Sequence, residues 1–204
     1  PILKLIVGKG STQTNTFSTF IKQLTINPYW NVPNSIAVKE MLPHFKKDND
    51  YISRTHLQIL NQNRKLLNPG SINWDNYDES NSPFYVRQST GCDNSLGIIK
   101  LDFDNPYGIY LHDTPVKSLF EYETRAFSHG CINVSKAKEL AFLLLKDDPD
   151  WPVSRINEAM KGVKETTCEL KRKIPVHIGY FTAWVNDSGE INFYTDVYDR
   201  DDRL

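Results

Sequence analysis

Ser128-His129-Gly130-Cys131-Ile132-Asn133-Val134 is the stretch from which the chain can be read, with Ile109-Tyr110-Leu111-His112-Asp113-Thr114-Pro115 just upstream. A cysteine becomes a nucleophile as its thiolate, which needs a base or a positive field beside it. Gly130 permits a tight turn and would leave the N–H groups of Gly130 and Cys131 free to converge. Ser135 is a plausible cap for a helix over residues 135–146, whose dipole would favour a thiolate at Cys131. Two histidines are at hand: His129, two residues away, and His112, which closes a strand. Other readings stand beside this one. Cys131 can be a small buried hydrophobe, His112 a satisfied structural residue, and His112, His129, Cys131 and His177 zinc ligands. The zinc reading has no CxxC or HExxH spacing behind it.

Moving outward, strands are expected over residues 2–7, 17–26, 84–88, 98–103 and 108–111, separated by turn residues. Residues 174–185 and 191–197 flank Asn186-Asp187-Ser188-Gly189, a hairpin signal. A helix over residues 35–42 should stop at Pro43, and a second short helix fits residues 154–160. Apolar residues almost all round the 135–146 segment predict a largely buried helix. Residues 39–81 are rich in Asn, Asp, Lys and Arg with few periodic apolar positions, and read as an irregular insertion. The fold class expected is mostly β with a few helices (α+β), a sandwich or open barrel rather than a doubly wound sheet.

The bulk properties exclude several classes. The 204 residues suffice to bury a core, and 39% hydrophobic with 24% charged residues is ordinary for a globular protein. A net charge of -1, with no basic run, gives no electrostatic case for nucleic acid. The longest apolar run, residues 140–145, is too short to span a bilayer. Three cysteines form no disulfide framework; Cys92 and Cys168 have no histidine nearby in sequence and read as structural. Pro1 is not an initiator methionine, so the chain reads as a fragment whose missing signal peptide says little about compartment.

A histidine, 15 intervening residues, then Ser-His-Gly-Cys-Ile-Asn resembles the signature of the L,D-transpeptidase family, the YkuD-type catalytic domains. Asn27-Pro28-Tyr29-Trp30-Asn31-Val32-Pro33, Asn94-Ser95-Leu96-Gly97 and the tail over residues 174–198 are similar to the long Gram-negative branch. The resemblance implies a single catalytic domain over residues 1–204, with residues 39–81 as a substrate-capping insertion. It also implies that His112 deprotonates Cys131 and that the main-chain carbonyl of Asp113 orients the imidazole. The N–H groups of Gly130 and Cys131 would then hold the oxyanion, and His129 would shape the nucleophile loop. Tyr110, Ser128, Asn133, Gly97 and Trp30 are the candidates for touching substrate; many relatives carry Arg in place of Asn133. No cofactor or metal is implied. The expected partners are peptidoglycan stem peptides, with carbapenem-type β-lactams as inhibitors and a periplasmic or cell-envelope location. An L,D-carboxypeptidase with the same site and a silent peptidoglycan-binding domain are the alternatives.

Overall fold

The structure, a computed structural model, describes residues 2–48 and 50–201. Pro1, Asn49 and residues 202–204, part of the expected 1–204 domain, lie outside the described residues. The chain opens with β1 (Leu5–Gly8), β2 (Phe17–Ile26) and β3 (Trp30–Asn31). Next, α1 (Asn34–Ile36) runs through a π turn (Ala37–Met41) into α2 (Leu42–Lys47), followed by α3 (Tyr51–Arg54). The strands β4 (Leu57–Leu60), β5 (Leu66–Leu67), β6 (Tyr85–Gln88), β7 (Ile99–Phe103), β8 (Leu111–His112), β9 (Ala126–Ser128) and β10 (Ile132–Val134) come next. After α4 (Ala137–Leu145) and α5 (Val153–Lys161) the chain ends in β11 (Thr166–Ile178), β12 (Ala183–Val185) and β13 (Ile191–Phe193). This is the α+β, mostly β architecture expected.

Seven strands form the main sheet in the order β11-β2-β7-β8-β10-β1-β9, so β11 and β9 are its open edges. It is mixed: β10 runs parallel to β8 and β1 parallel to β9, while its other pairs are antiparallel. Alternation gives the sheet two unlike faces. Ile99, Leu101 and Phe103 of β7, Ile132 and Val134 of β10, and Leu24 and Ile26 of β2 bury one face. Ala137, Ala141 and Leu145 of α4, with Trp151 and Ile156, cover that face. The helix α4 is therefore not buried all round: Leu143 stays 43% exposed. The opposite face carries Thr25, Lys100, Asp102, His112 and Asn133, the polar members of the same alternations.

The expected irregular insertion is ordered. A separate four-stranded sheet, β3-β6-β4-β5, and a second core built on Val38, Leu42, Phe45, Ile59, Trp74 and Val86 define a unit over residues 30–88. Aromatic rings supply much of this core: Trp74 lies 4.9 Å from Phe45 and 5.3 Å from Phe84, centroid to centroid. Truncating Trp74 to alanine should cost about 3–5 kcal/mol through the cavity left behind. Amide exchange should then accelerate across residues 30–88 and leave the main sheet protected; loss spread evenly over both sheets would show one cooperative core instead.

Pro43 does not stop the first helix. Proline lacks an N–H and its ring strikes the carbonyl four residues back, which here belongs to Lys39. The backbone answers with the π turn, in which the Leu42 N–H reaches the Ala37 carbonyl, and α2 continues from there. At the other end, the expected hairpin forms, with Ala183 to Val185 paired to Phe193 to Ile191.

Candidate functional site

The polar face of the main sheet brings the two motifs together. Ile132 pairs with Leu111 and Asn133 with His112 in parallel register, and the Ile132 N–H donates to the Tyr110 carbonyl at 3.0 Å. One step back along that register, Cys131 sits opposite Tyr110. Side chains of Cys131, Tyr110, His112 and Asn133 therefore share a face, as strand alternation requires. The Tyr110 and His112 rings lie 5.7 Å apart.

His112 is buried, and its Nδ1 lies 2.5 Å from the carbonyl oxygen of Asp113. A carbonyl only accepts, so Nδ1 carries the proton and Nε2 keeps its lone pair. Among the described residues Nε2 has no hydrogen-bond partner. Burial pushes the His112 pKa down to about 4, against an opposing pull from Asp113, so the ring is neutral at neutral pH. Burial also pushes the Cys131 thiol up, opposed by hydrogen bonding from Tyr110 and by the charge of Lys100. The pair at rest is a thiol beside a neutral imidazole. The Cys131 Sγ lies 3.9 Å from the Gly108 carbonyl and makes no hydrogen bond to His112. Catalytic contacts of this kind often tighten only with substrate present. The helix dipole expected at Cys131 is absent: the strand β10 intervenes, α4 starts only at Ala137, and Ser135 does not cap it.

Asp113 holds the site with its backbone and its side chain separately. Its carboxylate accepts from the Ile98 N–H at 3.2 Å and pairs with Lys117. Gly97 packs beneath this carboxylate: a Cβ there would lie 2.5 Å from Asp113 Oδ2, and φ is +59°. Its lack of a side chain is a packing requirement of the His112 support.

The turn before Cys131 is tied down by hydroxyls. Ser128 Oγ donates to the Cys131 carbonyl at 2.5 Å and accepts from the Gly130 N–H at 3.1 Å. The expected pair of converging donors is thus reduced, because Ser128 occupies the Gly130 N–H; the Cys131 N–H has no partner among the described residues. Both bonds of the Ser128 hydroxyl lie within the turn. Gly130 has φ +112°, which disfavours any other residue. Thr14 Oγ1 donates to the Gly130 carbonyl at 2.9 Å, Thr12 Oγ1 to the Ser128 carbonyl at 3.0 Å, and Tyr198 Oη to the Gly8 carbonyl at 2.7 Å. Sequence reading passed over these anchors. The run of Thr and Ser after Gly8 was their only signal.

His129 Nε2 lies 2.8 Å from Glu40 Oε1 in the π turn, so it joins the loop before Cys131 to the 30–88 unit. Trp30 is half-buried, and burial raises the pKa of the Tyr110 hydroxyl. Asn133 Oδ1 is buried without a hydrogen-bond partner among the described residues, an acceptor two residues from the thiol. The remaining imagined zinc ligand, His177, lies on β11 and contacts Ser18 at 2.8 Å. No three His, Cys, Asp or Glu side chains converge as a metal site among the described residues. Among those residues, no helix is long and apolar enough to cross a membrane.

A thiol and a neutral imidazole tethered by a main-chain carbonyl, on the polar face of a mixed sheet, define a Cys–His site suited to acyl transfer. Residues 2–156 match the L,D-transpeptidase catalytic domain, YkuD, and the chain belongs to that family. It is similar to a Haemophilus influenzae protein named "Putative L,D-transpeptidase", 34% identical over 201 residues. That match covers 98% of this chain and 40% of the relative's length.

Proposed function

We propose that the protein is a peptidoglycan L,D-transpeptidase with Cys131 as nucleophile and His112 as base. The observation that carries the reading is the His112 ring, with Nδ1–H held by the Asp113 carbonyl and Nε2 open on the face that bears Cys131. As substrate approaches, Nε2 takes the thiol proton while Sγ forms a bond to the L-centre carbonyl carbon of the diamino acid in a stem tetrapeptide. The oxyanion accepts from the Cys131 N–H; loss of such a donor costs on the order of a hundredfold in rate. The imidazolium then gives its proton to the departing D-Ala amine, and a thioester remains. An amine of a second stem attacks the thioester, its proton passes to His112 and on to the thiolate, and a 3→3 cross-link forms with Cys131 restored.

Residues 30–88 serve in this reading as the cap over the donor peptide, and Trp30 and Tyr110 line the cleft beneath it. The substrate assigns the domain to the periplasm or cell envelope. Intact-mass measurement after carbapenem treatment tests the nucleophile: one adduct is expected on the protein and none on Cys131→Ala. Equal modification of both would overturn it. With disaccharide-tetrapeptide as substrate, cross-linked dimer is the expected product; tripeptide alone would make the protein an L,D-carboxypeptidase.

A further inference from the structure

We infer that Lys100 and Asp102 form a subsite for a zwitterion, reading the ammonium and the carboxylate at the far end of the donor's diamino acid. The inference rests on the transpeptidase reading and deepens it. Its basis is a lattice of side chains that the sheet registers create. Lys100 pairs with His112 on one side and Thr25 on the other, and Asp102 pairs with Gln23. Asn133, His112, Lys100 and Thr25 thus make one row across four strands. The adjacent row is Cys131, Tyr110, Asp102 and Gln23, on the same face.

The two charges are built in. Lys100 Nζ lies 2.5 Å from Asp102 Oδ1 and 4.6 Å from the centroid of the Tyr110 ring, and each side chain is 24% exposed. Thr25 Oγ1, at 3.1 Å, and Gln23 Nε2, at 3.4 Å, fix the other carboxylate oxygen. Lys100 has three N–H donors and one acceptor among the described residues, so donors remain for an incoming carboxylate. A carboxylate likewise accepts more bonds than these three.

Distance matches length. Neighbouring strands lie about 4.8 Å apart, so Asp102 stands two spacings, roughly 10 Å, from Cys131 across Tyr110. In a diamino diacid four C–C bonds of about 1.5 Å separate the two centres, which puts the distal charges roughly 7 Å from the attacked carbonyl carbon. Adding the roughly 3 Å between thiolate and that carbon spans the same 10 Å. Lys100 meets the distal carboxylate and Asp102 the distal ammonium. A side chain ending in an ammonium alone satisfies only half of the pair.

The test compares synthetic tetrapeptide donors carrying meso-diaminopimelate, L-lysine or L-norleucine at the third position, with kcat/KM read for each. The protein should favour diaminopimelate over lysine by about tenfold or more, because a site built for a polar group penalises its absence. Lys100→Gln should collapse that preference towards one while Lys100→Arg retains it; Asp102→Asn should collapse the preference for lysine over norleucine. Ratios within one variant are unaffected by the fraction folded. Equal losses on all donors, or no preference in the unaltered protein, overturn the subsite and leave the transpeptidase reading standing. Turnover of none of the three donors overturns both.

Discussion

With His112 replaced by glutamine, acylation of Cys131 by a carbapenem is expected to slow on the order of a thousandfold at neutral pH, the range typical for loss of a general base. The expectation follows from two opposed shifts. Burial holds the Cys131 thiol above its ordinary value, so thiolate is scarce without help. Burial also holds His112 near pH 4, so the base form is fully populated at neutral pH. Glutamine fills the space but cannot take the proton. The unaltered protein should therefore show a rate that rises through about pH 4 and stays level across neutrality, with the variant's rate rising only towards the thiol's own titration. A limb centred near the ordinary histidine value would remove His112 as the base.

The same shift acts on stability. His112 binds its proton less readily when folded, so the unfolded chain holds more protons between about pH 4 and the ordinary value of 6.5. Folding stability contributed by the neutral ring is present above that ordinary value and is lost as pH falls towards 4. The loss amounts to roughly 3 kcal/mol. Denaturant midpoints measured across this window should fall with pH, and His112→Gln should flatten that part of the slope.

The second large effect belongs to Gly97. Alanine there meets a left-handed backbone at φ +59° and three side-chain atoms of Asp113 within 2.6 Å. Left-handed alanine costs about 1–2 kcal/mol and overpacking about 1–3 kcal/mol more. An unfolding free energy in urea lowered by the sum, about 2–5 kcal/mol, is expected, together with slower acylation because Asp113 orients His112. Removing the struck side chain separates the two contributions. Gly97→Ala combined with Asp113→Ala should lose less stability than the two single changes added, since the clash disappears and only the backbone cost stays. Strict additivity would mean the contact does not matter.

Cys131 and His112 are legible in the sequence because a spaced motif survives without knowledge of the sheet. The sequence could not disclose what the sheet registers create. Lys100, Asp102, Thr25 and Asn133 become neighbours only once β2, β7, β8 and β10 are set side by side. The Thr12 and Thr14 anchors were hidden for the same reason, each bond spanning 116 residues of chain. Residues 39–81 read as irregular because the core of the 30–88 unit is drawn from scattered aromatics and short strands, which leave no clean period. The helix dipole does not bear on Cys131 because the three residues of β10 stand between it and α4. Helix α4 misled in the other direction: apolar composition all round did not prevent an exposed face.

One residue of chain length in the first helix has an aiming function. The π turn over Ala37–Met41 holds one residue more than an α-helical turn would, so Ala37 and Leu42, five apart, both face the second core. Each helical residue advances the direction of a side chain by about 100°. Deleting one position from the turn would swing either Glu40 or the Leu42–Phe45 face through that angle. If the core keeps its grip, it is the carboxylate that turns aside, and His129 loses its contact with the 30–88 unit. The bearing of Glu40 on the loop before Cys131 is thus set by the phase of a helix, and Pro43 is the residue that keeps the phase.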